Sequence, residues 1–307
     1  MTFETITARN ATRLHVVQRA ARGWISEVTL SPDGRLLAAS SAGGVGIWRG
    51  SLESKPLFMK PHDGPVKGIA FAPNGVTFVT GSADTRVKTW DLRAFSPSMQ
   101  PIEIYTNHED SVEDVVIAAN GTVISASVDR TVRMLHPRGS MVLTGHTDEV
   151  NTLAVNHYLI ASGGHDNMVR LWDIKSGESV AALKGHNDWV RRVQFHPKDD
   201  GVLLSAGRDG TVRLWDIRNA TRPTQTAAFY HEGDVRAATF DATGDLIFAG
   251  STSGNVAVWE VATGQRVAVL EHHNKPIISM ILHPRNNFLI TGGGDNDIAL
   301  WVIQVLH

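Results

Sequence analysis

The most constraining feature of this sequence is a short segment that recurs along the chain. In its clearest copy, residues 185–218, three short apolar runs lie at residues 190–195, 202–206 and 212–215. These runs are rich in β-branched, aliphatic and aromatic residues, and the linkers between them are HPKDDG and GRDGT. Short runs of this kind, separated by Pro, Gly and Asp, predict an antiparallel meander of β-strands.

The tryptophan that ends this segment sets the period of the repeat. Its copies lie at Trp48, Trp90, Trp172, Trp215, Trp259 and Trp301, and a degenerate copy has Leu135 at the same place. Successive copies are 37 to 45 residues apart. A period of this length, with Gly-His near the start and Trp-Asp at the end, is the signature of four-stranded propeller blades. The segments resemble WD40 repeats, and seven copies imply an all-β fold, a seven-bladed β-propeller of four-stranded antiparallel blades.

The repeats fill the chain, so we expect residues 1–307 to form a single domain. Residues 1–10 are polar, and we expect them to be loose. Only six residues follow Trp301, which leaves no room for a fourth strand in the last blade. Residues 14–18, LHVVQ, read as a strand without a blade of its own, and an open seam would leave backbone groups unpaired. We therefore predict that this N-terminal strand closes the last blade.

Composition excludes several classes of function. Lys and Arg number 29 against 31 Asp and Glu, so no net charge favours nucleic acid or an anionic membrane. The chain has no cysteine, hence no disulfide framework and no thiolate metal site. The N-terminal residues lack the apolar stretch of a signal peptide, and no run approaches membrane-spanning length. We expect a soluble cytoplasmic protein without a cofactor.

Four repeats carry a His before the first strand, a Ser or Thr in the second strand, an Asp in the next turn and the repeat Trp. The sets are His62, Thr80, Asp84 and Trp90; His146, Ser162, Asp166 and Trp172; His186, Ser205, Asp209 and Trp215; and His273, Thr291, Asp295 and Trp301. A Ser/His/Asp set could serve nucleophilic catalysis. The family resemblance implies instead a buried structural hydrogen-bond chain, because buried polar groups are normally paired. No catalytic residue is therefore expected, and no histidine cluster shows the ligand spacing of a zinc site.

In propellers of this kind, partners often dock on the face that carries the His-bearing loops and the Asp-bearing turns. The resemblance places eight candidate partner-binding residues there: Trp24, Lys67, Glu149, His165, Trp189, Arg191, Arg208 and Arg236. Trp24 and Trp189 are the two tryptophans outside the repeat core position, and Trp and Arg are enriched at binding hot spots. The alternative is that each ring lies flat over a neighbouring blade or simply sits exposed, as many apolar surfaces do. The arginines gather on the fifth and sixth repeats, which suits an acidic partner segment.

These observations favour a non-catalytic scaffold for protein–protein interaction. One alternative is an enzyme or small-ligand site in the central channel, which needs convergent acid and base residues on the innermost strands. Their repeated positions read mostly Val, Ala, Ile and Thr. Another alternative is nucleic-acid binding through the arginine cluster, which the near-neutral charge of the chain disfavours.

Overall fold

The computed structural model describes residues 3–21, 23–94, 96–137, 139–285 and 287–303. These residues form seven four-stranded antiparallel sheets, which are the seven blades. In blades one to six, four consecutive strands run in chain order from the innermost to the outermost position. The sequence prediction of a seven-bladed all-β propeller is confirmed.

The strands are numbered in chain order. Those of blades one to three are β2 (Ile25–Leu30), β3 (Leu36–Ser41), β4 (Gly44–Arg49) and β5 (Leu57–Met59); β6 (Val66–Phe71), β7 (Thr77–Ser82), β8 (Val87–Asp91) and β9 (Glu103–Tyr105); and β10 (Val112–Ile117), β11 (Val123–Ser127), β12 (Val132–His136) and β13 (Gly139–Leu143). Those of blades four and five are β14 (Val150–Val155), β15 (Leu159–Gly164), β16 (Val169–Asp173) and β17 (Ser179–Leu183); and β18 (Val190–Phe195), β19 (Val202–Gly207), β20 (Thr211–Asp216) and β21 (Thr224–Tyr230). Those of blades six and seven are β22 (Val235–Phe240), β23 (Leu246–Ser251), β24 (Asn255–Glu260) and β25 (Arg266–Glu271); and β26 (Ile277–Leu282), β27 (Phe288–Gly293), β28 (Asp297–Val302) and the N-terminal β1 (His15–Ala21).

Helix is almost absent from the described chain. Two single-turn 3₁₀ helices are present: Ala11–Arg13 precedes β1, and Leu92–Ala94 lies between β8 and β9. Within the described ranges, no helix has the length and apolar character needed to cross a membrane.

The N-terminal strand closes the ring as predicted. β1 pairs antiparallel with β28, from His15 opposite Val302 to Ala21 opposite Asp297, and becomes the outermost strand of blade seven. It covers residues 15–21 and so runs past the predicted segment, residues 14–18. An ion pair of 2.6 Å between Arg19 Nε and Asp297 Oδ2 joins the two strands. The first and last parts of the chain are therefore held in one sheet.

Residues 3–10 pack against blades six and seven, contrary to the expectation of a loose segment. Ile6 is 1% exposed and belongs to the apolar core between these blades. The backbone N–H of Glu4 donates to the carbonyl of Ile303 at 3.1 Å. The polar residues of this stretch obscured Ile6, which is buried, and Ala8, which packs against the same cluster. Met1 and Thr2 lie outside the described residues.

The core consists of seven apolar clusters, each between two neighbouring blades. The second strand of each blade reads as a nearly continuous apolar run because both of its faces are covered; in Val123–Ser127 every residue is buried. The repeat tryptophans, such as Trp172 and Trp215, each lie in one of these clusters. Each blade thus depends on its neighbours for burial, as expected of a repeat array.

Candidate interaction face and central channel

The upper face is the one at which the innermost strand of each blade begins. The residue just before the innermost strand accepts a backbone hydrogen bond through its carbonyl oxygen. The donor is the N–H of the first residue in the tight turn between the second and third strands. Such bonds join His165 N to Glu149 O at 2.8 Å, Arg208 N to Trp189 O at 2.8 Å and Thr252 N to Asp234 O at 2.9 Å. This register places the side chains of each pair next to each other on the face.

The four predicted hydrogen-bond sets have the expected geometry. In blade five, Trp215 Nε1 donates to Ser205 Oγ at 2.8 Å, Ser205 Oγ lies 2.7 Å from His186 Nε2, and His186 Nδ1 lies 3.0 Å from Asp209 Oδ2. Every group is satisfied if the hydroxyl donates to Nε2 and the Nδ1–H donates to the carboxylate. The other three sets share this geometry and centre on His62, His146 and His273. Blade three keeps the His108 contacts to Ser125 and Asp129 at 2.7 Å each, with Leu135 in place of the tryptophan.

These sets are closed to substrate. The side chains of His62, His186 and His273 are at most 1% exposed, and Ser205 is fully buried. Burial raises the pKa of Asp209, but the hydrogen bonds from His186 and Thr211 outweigh it and hold that pKa below its usual range. The carboxylate is thus ionised and engaged by its neighbours. The contribution of the sets to stability stays a prediction.

The same turns carry backbone strain. Thr85, Arg130, Asn167 and Asn296, which each follow the turn residue Asp, have φ between 64° and 70°. A β-branched or bulky residue adopts this left-handed region at a cost. Because the preceding Asp binds the buried His, the hydrogen-bond set also anchors the turn that shapes the upper face.

Trp189 is half-buried, whereas the sequence predicted an exposed side chain. Its ring stacks on His165 of blade four, with centroids 3.7 Å apart and planes at 16°. The guanidinium carbons of Arg208 and Arg191 lie 4.5 Å and 4.7 Å from the centroid of its ring. The neighbouring blade therefore covers part of this indole, as the alternative interpretation of the sequence had it.

Trp24 occupies the same repeat position in blade one and is 49% exposed. The residue of blade seven that corresponds to His165 is Gly294, and the Trp24 ring lies directly above it. A Cβ added at Gly294 would come within 3.1 Å of that ring. Since glycine offers no side chain to stack on the indole, Trp24 keeps far more of its surface open than Trp189 does.

The predicted charged residues of the upper face make ion pairs with one another and with two aspartates. Arg191 and Arg236 share Asp234, at 3.5 Å and 3.2 Å. Arg208 lies 3.7 Å from Asp188. On the other side, Lys67 lies 3.6 Å from Glu113 and Glu149 lies 3.1 Å from His165. The arginine cluster is thus partly neutralised, and burial lowers the pKa of Arg191 despite Asp234.

Charged side chains line the mouth of the central channel, which corrects the expectation of Val, Ala, Ile and Thr there. A cavity of about 90 Å³ is bordered by Glu27, Asp114 and Arg192 from blades one, three and five. Arg192 Nη1 lies 3.3 Å from Glu27 Oε1. Residues from three separate repeats meet here, and the sequence analysis missed all three.

These side chains join successive blades. Ser279 Oγ accepts from Val28 N at 3.1 Å, Glu27 Oε2 from Ile69 N at 2.8 Å, Asp114 Oδ2 from Leu153 N at 2.7 Å, and Thr152 Oγ1 from Val193 N at 3.3 Å. Each acceptor is the third residue of an innermost strand, and each donor is the fourth residue of the next one. The contacts satisfy N–H groups on strand edges that face the channel. Aligning the seven innermost strands at their third residue would have revealed this ring of polar side chains in the sequence.

The pKa values of two carboxyl groups of the channel, Asp114 and Glu27, are raised. Burial, together with the charge of Glu27, raises the pKa of Asp114 to about 8, against the opposing effects of Arg192 and two backbone N–H groups. Burial also raises the pKa of Glu27, although Arg192 lies beside it. The two carboxyls share one cation, so a proton on Asp114 relieves their repulsion.

Two groups of side chains in the described residues come close enough to share a metal ion: His272, His273 and Asp297, and Asp148, Glu149 and His165. In the first, His273 already uses both ring nitrogens within its hydrogen-bond set, and Asp297 pairs with Arg19. In the second, His165 pairs with Glu149. His272 and His273 both follow β25, and the centroids of their rings lie 5.0 Å apart.

A comparison with protein families accounts for the repeats. The family model "WD domain, G-beta repeat" matches residues 54–91, 99–135, 139–173, 177–216, 223–260 and 264–302, well over half of the chain. This chain belongs to the WD40 family. Blade one lies outside the matched segments, apart from its outermost strand β5. It is also a blade in which Ala39 stands where the hydrogen-bond sets have Ser or Thr.

Several curated proteins are similar to this WD40 chain. The guanine nucleotide-binding protein subunit beta of Zea mays is 28% identical over 313 residues, which cover 92% of this chain and 78% of that protein. THO complex subunit 3 of Arabidopsis thaliana is 29% identical over 213 residues, 65% of each chain. Nuclear distribution protein PAC1 of Coccidioides posadasii is 26% identical over 282 residues, which cover 79% of this chain and 58% of that protein.

Proposed function

We propose that this WD40 chain is a non-catalytic scaffold, a single domain that binds a partner protein through its upper face. The observation that carries the proposal is Trp24, a large indole left 49% exposed at the start of blade one. Tryptophan is among the residues most enriched at the hot spots of protein interfaces. The similarity to proteins named as the beta subunit of a guanine nucleotide-binding protein and as a subunit of the THO complex is consistent with a role within larger assemblies.

The contact surface extends from Trp24 over the other predicted residues of the upper face. Trp189 with Arg208 forms a half-exposed aromatic and cationic patch on blade five, and Lys67, Glu149, His165, Arg191 and Arg236 lie around the channel mouth. Arg208 keeps 46% of its side chain exposed despite its pairing with Asp188. An acidic segment of the partner would compete with Asp188 and Asp234 for these guanidinium groups. We place this interaction in the cytoplasm.

The geometry supports binding over catalysis. The Ser/His/Asp sets are buried, and their hydroxyls accept from an indole N–H in four blades. The channel carboxyls Glu27 and Asp114 accept hydrogen bonds from backbone N–H groups of the next blade. Groups engaged in this way already serve as structural links between blades, which favours binding over catalysis.

The test separates folding from binding. The tagged wild-type protein captures its partner from the native cell, and the purified partner is then titrated against Trp24→Ala and Trp189→Ala. We expect Trp24→Ala to weaken the complex by about 2 kcal/mol, roughly thirtyfold, with an unchanged melting curve. Trp189→Ala should lower both affinity and melting temperature, because His165 and the arginines lose their stacking partner.

Tyr158→Ala provides the matched control. Tyr158 is 65% exposed but lies in the turn between β14 and β15, at the opposite face of the propeller. The Tyr158→Ala variant should bind the partner with the affinity of the wild type. Wild-type affinity in Trp24→Ala, or an equal loss in Tyr158→Ala, would show that the partner does not use the upper face.

A further inference from the structure

The ring of polar side chains at the channel mouth is interrupted at blades five and six. At the fourth residue of each innermost strand, a backbone N–H faces the channel. Five of these N–H groups donate to a carboxylate or hydroxyl oxygen, those of Val28, Ile69, Val115, Leu153 and Val193. The corresponding residues of the last two blades are Ala238 and Met280. They pair with β23 and β27 in the register in which Val193 pairs with β19, so their N–H groups face the channel as well.

Neither of these two N–H groups receives an acceptor from the ring. For Ala238, the third residue of the preceding blade is Arg192, whose side chain carries only donors. For Met280 that residue is Ala237, which has no polar side-chain atom. The hydroxyl of Ser279, next to Met280, already accepts from a backbone N–H of blade one at 3.1 Å. A backbone donor in this position needs water or a ligand as its acceptor.

Arginine donors border the same cavity at the channel mouth. Arg192 of blade five pairs with Glu27 of blade one at 3.3 Å, so its guanidinium lies across the channel mouth. Arg191 and Arg236 also line the cavity, as does Met280. Within the part of the chain that the structure describes, the Nε atoms of Arg191 and Arg236 are buried and have no hydrogen-bond partner. Unpaired donors thus collect around one cavity, which favours a ligand rich in acceptors.

The cavity carries an excess of positive charge. Its walls hold four cations and three carboxyls: Lys67, Arg191, Arg192 and Arg236, and Glu27, Glu113 and Asp114. Asp234, which pairs with Arg191 and Arg236, adds one more carboxylate. Burial and the charge of Glu27 raise the pKa of Asp114 to about 8, so this group is largely protonated at neutral pH. Three carboxylates therefore face four cations, and a monovalent anion would balance the remaining charge.

Asp114 shows how a carboxylate fits between two such donors. Its Oδ1 accepts from Val115 N and its Oδ2 accepts from Leu153 N, at 2.7 Å each. Val115 and Leu153 are the fourth residues of the innermost strands of blades three and four. Ala238 and Met280 hold the same positions in blades six and seven, which are again consecutive. The pair of N–H groups that Asp114 bridges at blades three and four is therefore repeated, without a side-chain carboxylate, at blades six and seven.

We propose that the channel mouth binds a monovalent carboxylate, which accepts from Ala238 N and Met280 N beside the arginines. Its position would match that of the Asp114 side chain three blades away. The cavity of about 90 Å³ has room for several water molecules and is far smaller than the usual pocket for a drug-sized ligand. It therefore suits acetate or the end of an acidic side chain, because both present the same carboxylate.

The experiment uses the isotope-labelled full chain and follows the amide signals of Ala238 and Met280 by NMR. Sodium acetate is titrated against the protein alone, and sodium chloride at equal ionic strength is the reference. We expect saturable shifts of both signals with acetate that chloride does not reproduce. A capped Gly-Glu-Gly peptide forms the second arm. Tighter binding of the peptide assigns the carboxylate to an acidic side chain, tighter binding of acetate assigns it to a small free anion, and both results support the site.

Three variants test whether these donors are responsible. Ala237→Asp supplies an internal carboxylate at the position that Asp114 holds in blade three. It should weaken acetate binding at least about tenfold, because its own carboxylate takes both N–H groups. Ala237→Gly is the matched control, since glycine already stands at this position in blade two as Gly68, and it should keep the acetate affinity of the wild type. Arg236→Met removes one cation at a half-buried position and should also weaken binding about tenfold, which keeps the test valid if Ala237→Asp does not fold.

Any of four results would overturn the proposal. The first is the absence of saturable shifts at both amides with acetate and with the peptide. The second is an equal response to chloride, which would mean general screening of charge. The third is the acetate affinity of the wild type in folded Ala237→Asp or in Arg236→Met. The fourth is a loss of affinity in Ala237→Gly as large as in Ala237→Asp. None of them bears on the partner of the upper face, whose test uses Trp24→Ala and the captured protein.

Discussion

At the scale of single residues, hydrogen-bonded polar side chains are held inside an apolar framework. His186 is held between Ser205 and Asp209, and Asp114 accepts from Val115 N and Leu153 N at 2.7 Å each. A buried hydrogen bond adds little net stability, but the loss of one partner leaves the other desolvated and unpaired. Substitutions at these residues therefore test the interior directly.

Asp209→Ala removes the acceptor of the His186 ring N–H and of Thr211. We expect the free energy of unfolding to fall by about 1–3 kcal/mol, the cost of a buried unsatisfied group. The urea midpoint of mutant and wild type measures the effect. Ser253→Ala changes the equivalent turn residue of blade six, where no His–Asp bond exists because Ser253 replaces the aspartate, and it should shift the midpoint less. Equal midpoints for Asp209→Ala and wild type would contradict a stabilising role.

The raised pKa of Asp114 predicts that the stability of the protein depends on pH. Its pKa is about 8 in the folded protein and 3.8 as its ordinary value, so the folded state holds the proton longer. The contribution of Asp114 to the free energy of unfolding is fully present below pH 3.8 and is lost as the pH rises through 8. The slope can reach about 1.4 kcal/mol per pH unit for one proton. Glu27 and Arg192 face the same carboxyl and share in the titration.

The measurement is the free energy of unfolding of wild type and Asp114→Asn at a series of pH values between these limits. Asparagine cannot ionise, so the decline with rising pH should be shallower in the variant, whatever its absolute stability. Parallel curves would mean that Asp114 does not carry the proton.

At the scale of elements, the closing strand β1 joins parts of the chain that are far apart in sequence. It covers the edge of β28, and the preceding residues bury Ile6 against blades six and seven. An exposed strand edge is prone to aggregation. The N-terminal residues thus serve both as the last strand of the ring and as a plug for its neighbouring core.

Deletion of residues 1–19 should open the seam and cause aggregation or a large loss of thermal stability. Deletion of residues 1–8 keeps β1 but removes Ile6, and we expect a smaller loss of about 2 kcal/mol or more, as for other buried isoleucines. Thermal denaturation of the two truncations and the full chain provides the comparison. If the variant without residues 1–19 has the melting temperature of the full chain, β1 does not close the ring.

At the scale of the whole molecule, the ring presents two faces with different chemistry. The upper face combines Trp24 and paired arginines around the channel mouth, and the opposite face has an apolar pocket beside Leu30. Each blade buries its core only against its two neighbours. A change at one blade interface therefore acts first on the two blades that share it.

The sequence by itself determined the number of blades, their strand order and the closing strand. Each of these depends on periodicity along the chain: an apolar run with turn residues forms a strand locally, and a spare strand must pair with the open edge. The composition of the four hydrogen-bond sets was predictable for the same reason, since all their members lie within one repeat.

Only the tertiary structure decided which surface residues are exposed and which charged side chains form ion pairs. Trp24 and Trp189 share a repeat position, yet Gly294 leaves the first open and His165 covers the second. Glu27 and Arg192 are 165 residues apart and pair across the channel. The physical reason is that these contacts lie between blades, where exposure and pairing depend on the side chain that a neighbouring repeat supplies.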